Sequence, residues 1–163
     1  MARMQKTLTL LALGLLSLAA GAADFDTEVP MTRAKSGNFY IEGQLNDQVA
    51  ASFLVDTGSG LVTVSGDVLD ELERHGKVTR SGRMAARLAN GRLQAVNLYR
   101  VERFVIGGHC DLGAVDVAVM PGSDSNILGL NLLQRAAPFA MHVAPPKLAL
   151  SACGLVAETL AAR

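Results

Sequence analysis

The sequence has no tryptophan, and aromatic residues make up only 4% of its 163 positions. Few flat side chains are therefore available for stacking bases or sugars. Net charge is absent as well. Fifteen Lys and Arg balance 15 Asp and Glu, without a basic stripe or Lys/Arg run, which argues against a nucleic-acid partner. Histidine is sparse: His75, His109 and His142 stand far apart, without a ligand spacing such as His-x-x-x-His, so no metal site and no cofactor is expected. Cysteine occurs only as Cys110 and Cys153. An even count permits one disulfide in an oxidising compartment, and two buried thiols are the alternative. The length suits one domain.

Beyond the first residues no apolar run is long enough to span a membrane. The first residues themselves have the order of an export signal. Arg3 and Lys6 precede an apolar run from Thr7 to Ala20, and Ala20-Gly21-Ala22 offers a small-residue cleavage site. An uncleaved anchor is the competing reading. No Cys follows the run, so no lipid attachment is expected. The chain divides into a signal peptide over 1–22, an N-terminal arm over 23–37, a domain over 38–151 and a C-terminal tail over 152–163. The expected location is the periplasm or outside the cell, with no stable membrane insertion after cleavage.

Apolar alternation with frequent turns predicts short strands throughout. Asn38 to Gln44 and Val49 to Val55 form a hairpin around Leu45-Asn46-Asp47-Gln48. Leu61 to Val64 is strand-like. Asp67 to His75 has Val68, Leu69 and Leu72 at helical spacing, with Ser65 as N-cap and Gly76 as stop. Gly82 to Val96 is a second hairpin centred on Asn90-Gly91. Tyr99 to Ile106 and Leu112 to Met120 are further strands. Asn131 to Ala137 is a short helix, and Phe139 to Val143 and Lys147 to Ser151 are closing strands around Ala144-Pro145-Pro146. The fold class is all-β with one or two short helices, closed or sandwiched.

One stretch carries chemistry. Phe53-Leu54-Val55 runs as a buried strand into Asp56-Thr57-Gly58-Ser59-Gly60, where the glycines force a tight bend. A carboxylate is left at the end of a buried strand, and it must be hydrogen-bonded, paired or protonated. That choice makes Asp56 a candidate catalytic group. A turn in which the acid only caps local amides is the structural alternative. A second apolar run also meets a glycine, at Asn126-Ile127-Leu128-Gly129, and it hints at an internal pseudo-twofold.

These residues resemble the retropepsin-like aspartic proteases (clan AA), particularly the single-domain exported bacterial type. Three elements match in order: Leu54-Val55-Asp56-Thr57-Gly58-Ser59, then Leu88-Ala89-Asn90-Gly91, then Ile127-Leu128-Gly129-Leu130-Asn131-Leu132-Leu133. Gly60 stands where a second Ser or Thr is common, and Leu88 where Thr is frequent. The resemblance implies a closed, barrel-like acid-protease fold that pairs as a homodimer and binds an extended peptide under two flaps. It implies that Asp56 is catalytic, that Thr57 fixes the two active-site loops to each other, and that Gly58 lets the backbone approach. It further implies that Ser59 hydrogen-bonds the Asp56 carboxylate, and that Ala89, Asn90 and Gly91 belong to the flap.

Peptide hydrolysis by carboxylates needs a base for the water and an acid for the carbonyl or leaving amine. Two close aspartates do both while sharing one proton. This chain has a single Asp-Thr-Gly, since Asp111, Asp116 and Asp124 lack the motif. The second acid is therefore expected from another copy, and activity should be higher below neutral pH than above. A catalytically inactive, peptide-binding or structural domain of the same fold is the alternative. Val55 to Leu61 also resembles the phosphate loop of actin-like ATPases, whose two large α/β domains do not fit in this length.

Overall fold

The computed structural model describes residues 24–76, 78–88, 90–120 and 122–154. The signal reading over 1–22, Ala89 and most of the tail lie outside the described residues.

Strands β1 (Thr27–Pro30) and β2 (Thr32–Arg33) come from the arm. β3 (Phe39–Leu45) and β4 (Val49–Val55) form the first hairpin, and its turn residues Asn46 and Asp47 take φ of 50° and 63°. β5 (Val62–Val64) leads into helix α1 (Gly66–Arg74). The Ser65 hydroxyl accepts from the Val68 amide at 3.3 Å, as an N-cap does. β6 (Val78–Arg87) and β7 (Leu93–Val101) are a long second hairpin. β8 (Phe104–Ile106), β9 (Cys110–Asp111) and β10 (Val115–Val119) follow. β11 (Ile127–Leu128) enters helix α2 (Leu130–Leu133), and a 3-10 turn covers Gln134–Ala136. β12 (Phe139–Val143) and β13 (Pro146–Leu150) close the fold.

The strands form two sheets. The smaller has the order β1-β13-β12, so the arm is built into the fold by antiparallel pairing of Thr27 to Pro30 with Leu150 to Lys147. The larger runs β6-β7-β10-β5-β11-β4-β3-β8-β9, with β2 beside β3. The expected closed barrel is not formed, because β6 and β9 end the larger sheet without meeting. β6 is exposed along most of its length. β6 pairs with β7 alone, so the hairpin forms one end of the sheet.

The core gathers the buried sides of β3, β4, β5, β8, β10, β11 and β13. Phe53 and Phe104 meet edge to face, with ring centroids 5.0 Å apart. Tyr99 to Ile106 is two strands and not one. The Glu102 and Arg103 amides turn aside to donate to the Asn46 side-chain oxygen, at 2.8 and 3.0 Å. The last helix begins at Leu130 and tightens after Leu133, one residue earlier and shorter than the sequence pattern predicts.

The overall charge balance conceals a local one. The reading of no basic stripe fails over Gly76 to Val101, which holds Lys77, Arg80, Arg83, Arg87, Arg92 and Arg100 and no acid.

The two cysteines are joined: Cys110 and Cys153 form a disulfide with Cα atoms 4.9 Å apart. Cys110 is fully buried, and the bond ties the chain after β13 to β9. A loop 43 residues long is closed. Cys153→Ser should lower unfolding free energy by about 2–4 kcal/mol, read from denaturant midpoints with and without reductant.

Beside the disulfide, the Arg103 Nε donates to Asp111 at 2.7 Å, and its guanidinium also pairs with Asp47. Partial burial pushes the Asp111 carboxyl up, but hydrogen bonds from Arg103 and the Gly113 amide outweigh it and hold the group below its ordinary value. A depressed folded pKa gives stability above the unfolded value and loses it as pH falls through the folded one. The stability difference between the native chain and Asp111→Asn should therefore shrink on acidification, measured as Tm against pH.

Candidate active site

β4 delivers Asp56 from the core to the surface. Phe53 is fully buried, Leu54 and Val55 are half-buried, and so is Asp56. The bend begins at once: the Gly58 amide donates to Asp56 Oδ1 at 2.8 Å, and the Ser59 amide donates to the Asp56 carbonyl at 3.2 Å. One carboxyl oxygen is thus oriented by an amide. Among the described residues no hydrogen bond reaches Oδ2, which is left to accept from water or substrate. A Cβ at Gly58 would lie 3.1 Å from Asp56 Oδ1, so the glycine makes room for the carboxylate.

Ser59 does not behave as expected. Its hydroxyl donates to the Leu61 carbonyl at 2.8 Å, and a hydroxyl has one proton to give. It stiffens the loop and leaves the carboxylate to Gly58. Thr57 is exposed, and its side chain makes no hydrogen bond among the described residues.

The loop is clasped from the far end of the chain. β11 lies parallel to β4, with Ile127 opposite Leu54 and Leu128 opposite Val55. The Leu54 amide donates to Asn126 and the Asp56 amide to Leu128, at 2.9 and 3.2 Å. Leu130 and Asn131 amides then donate to the Ser59 and Gly60 carbonyls at 2.8 and 3.1 Å. The two apolar-glycine motifs therefore touch each other. Gly129 is where they touch: a Cβ there would sit 2.2 Å from the Leu61 oxygen.

Two asparagines complete the clasp. Asn131 Oδ1 accepts from the Val62 amide at 2.8 Å, while its Nδ2 donates to the Asp116 carbonyl at 3.0 Å. Asn126 Oδ1 accepts from the Ser65 amide at 2.8 Å, and its Nδ2 donates to the Ser52 carbonyl at 3.3 Å. The sequence reading placed both within the second motif but gave them no role. A polar amide next to an apolar run was the available signal.

Asp56 opens onto a groove of about 510 Å³. One wall is the loop from Gly58 to Leu61, and the other is β6 with its extension, Met84 to Leu88. Thr63, Ala118, Met120 and Ile127 line it too, and Asp56 is the only acid among the lining residues. Thr63 is 7% exposed, and among the described residues its hydroxyl has no hydrogen-bond partner. It is a polar point in an apolar wall.

The hairpin thus covers the site, but with its strand and not its tip. Asn90 and Gly91 are absent from the lining. They shape the turn: the Gly91 amide donates to the Leu88 carbonyl at 2.8 Å, with Gly91 at φ 81°. Asn90 Oδ1 accepts from the Arg92 amide at 3.0 Å. Only Gly91 of these takes a left-handed backbone, as in a three-residue hairpin loop, whereas a two-residue Asn-Gly turn requires it at both positions. Cys110 and Cys153 play no part in the groove. Among the described residues no cluster of His, Cys, Asp and Glu is placed to hold a metal ion.

A carboxylate on an Asp-Thr-Gly bend, clasped to an apolar-glycine turn and roofed by a hairpin, defines the retropepsin-like class of aspartic proteases. A family model described as "gag-polyprotein putative aspartyl protease" matches residues 41–135, more than half of the sequence, and the chain belongs to that family. The crystal structure of a retropepsin-like aspartic protease from Rickettsia conorii is similar, with a TM-score of 0.55 and 23% identity, over 75% of this chain and 89% of that one. At that identity the likeness speaks for the fold. No curated protein matches the chain at a significant level.

Gly129→Ala should lower stability by about 1–3 kcal/mol, because backbone must move to admit the methyl group. Gly60→Ser, by contrast, should leave the Tm nearly unchanged, since a Cβ at Gly60 meets nothing within 4 Å. Thermal melts of the two variants side by side test the clasp.

Proposed function

We propose that this protein is an aspartic endopeptidase whose catalytic pair is formed by Asp56 of two copies in a homodimer. The observation that carries this reading is the single acid in the groove. Asp56 has an oriented Oδ1 and an unoccupied Oδ2, which suits one half of a dyad. Peptide hydrolysis needs both a base and an acid, so a second carboxyl must come from a twofold-related chain. In that assembly one Asp56 takes a proton from the attacking water. The other, protonated, gives its proton to the carbonyl oxygen.

Thr57, exposed and without a side-chain hydrogen bond among the described residues, lies in the loop that would meet its counterpart. An extended peptide would lie between β6 and the Asp56 loop as an added strand, with alternate side chains against Leu61, Met120 and Ile127. The Cys110–Cys153 disulfide suits an oxidising compartment, which supports an exported protein, in the periplasm or outside the cell.

Asp56→Asn should keep the native Tm and lose activity on unfolded protein by roughly 10²–10⁴-fold. When it replaces half of the native chain at constant total protein, with time for exchange, about one quarter of the dimers should carry two acids, and activity should fall to about one quarter. A fall to one half would mean each chain works alone.

A further inference from the structure

We propose that the β6–β7 hairpin selects acidic polypeptide, binding carboxylates of the substrate on a face of three arginines. This rests on the endopeptidase reading and names its substrate class. The hairpin and its lead-in, Gly76 to Val101, hold six of the chain's 15 Lys and Arg and no Asp or Glu. A charged surface that serves only solubility mixes both signs.

The register aligns these arginines. Arg80 lies opposite Tyr99, Arg83 opposite Asn97 and Arg87 opposite Leu93. Cross-strand partners share a face, and Leu93, Asn97 and Tyr99 alternate along β7 onto the same side. Arg80 would fall on the other side but for the register shift between Arg80 and Gly82. The extra residue, Ser81, turns it over to join Arg83 and Arg87.

All three side chains are exposed and have no acidic partner among the described residues. Arg80 bonds the neutral amide of Asn97 at 2.8 Å, and Arg87 bonds the Gly91 carbonyl at 3.2 Å. Arg100, on the opposite face, differs: it stands 3.6 Å from Asp116. The face reaches the site, because Arg87 lines the groove with Asp56.

The matching ligand follows from this geometry. A guanidinium takes a carboxylate through two parallel hydrogen bonds. Arg83 and Arg87 are about four strand residues apart, roughly 14 Å, so an extended peptide with acids at that spacing can meet both. A bilayer is the weaker fit. Of the arginines' three cross-strand partners Leu93 is apolar, Asn97 is polar and Tyr99 carries a hydroxyl, so the face offers one wholly apolar side chain for insertion, and the chain has no tryptophan.

The test uses Asp56→Asn protein, which spares the peptide. A fluorescent extended peptide with Asp and Glu four residues apart is compared with its Asn and Gln counterpart by anisotropy. The acidic peptide should bind roughly tenfold tighter at low salt, with the gap closing as salt screens the exposed charges. Arg80→Gln, Arg83→Gln and Arg87→Gln together should erase the gap while Tm holds. Equal binding of the two peptides, or a gap that survives the triple substitution, overturns the inference. So does binding to phosphatidylglycerol vesicles without preference for the acidic peptide.

Native protein is assayed for cleavage of the same pair. Binding of the acidic peptide without cleavage defeats the endopeptidase reading and leaves the arginine face standing. Cleavage of both peptides at equal kcat/KM does the reverse. Neither binding nor cleavage defeats both.

Discussion

The contact between the Asp56 loop and the turn at Gly129 is the constraint on which the site depends. Two backbone segments from opposite ends of the domain come so close that a methyl group does not fit between them. Carbonyls of Ser59 and Gly60, which a tight bend would leave unpaired, receive the first amides of α2. The amides of a helix start and the carbonyls of the Asp56 bend thus satisfy each other. Asn126 and Asn131 extend the clasp by using both ends of each side-chain amide. Every polar group so used is fixed in direction, and Asp56 inherits that fixity through Gly58.

The two walls of the groove are built differently. The floor belongs to β4, β5, β10 and β11, whose apolar residues are part of the core. The roof is a ribbon that pairs with the sheet only through β7 and buries little beyond Val96 and Val101. Segments with few buried contacts open at lower free energy than core strands. A rigid floor therefore holds the acid beneath a lightly anchored roof. The roof also carries the charge imbalance, since Gly76 to Val101 holds six basic residues and no acid.

Away from the groove, the stabilising features are of another kind. The Cys110–Cys153 bond and the Arg103 pairs gather β9, the first hairpin turn and the chain end into one corner. Asn46, in a turn of positive φ, holds the break between β7 and β8. The same amide that shapes one turn ends a strand more than fifty residues away.

Local patterns in the sequence determined much. The run from Phe53 to Val55, followed by Asp56 and the glycines, specified a strand ending in an acid, because apolar periodicity and glycine act over a few residues. Ser65 and Gly76 bounded α1 for the same reason, and the first hairpin followed from its turn. Tertiary structure decided the rest. It joined Asn126 and Asn131 to a loop some sixty residues earlier, and gave the Ser59 hydroxyl to Leu61. It put Met84 to Leu88 over the groove in place of the hairpin tip, and left the sheet open where a closed barrel was expected. The arginine face required a single-residue register shift, which reverses the side of every following side chain. Such features depend on which segments meet and in what register, and residues near in sequence do not fix either.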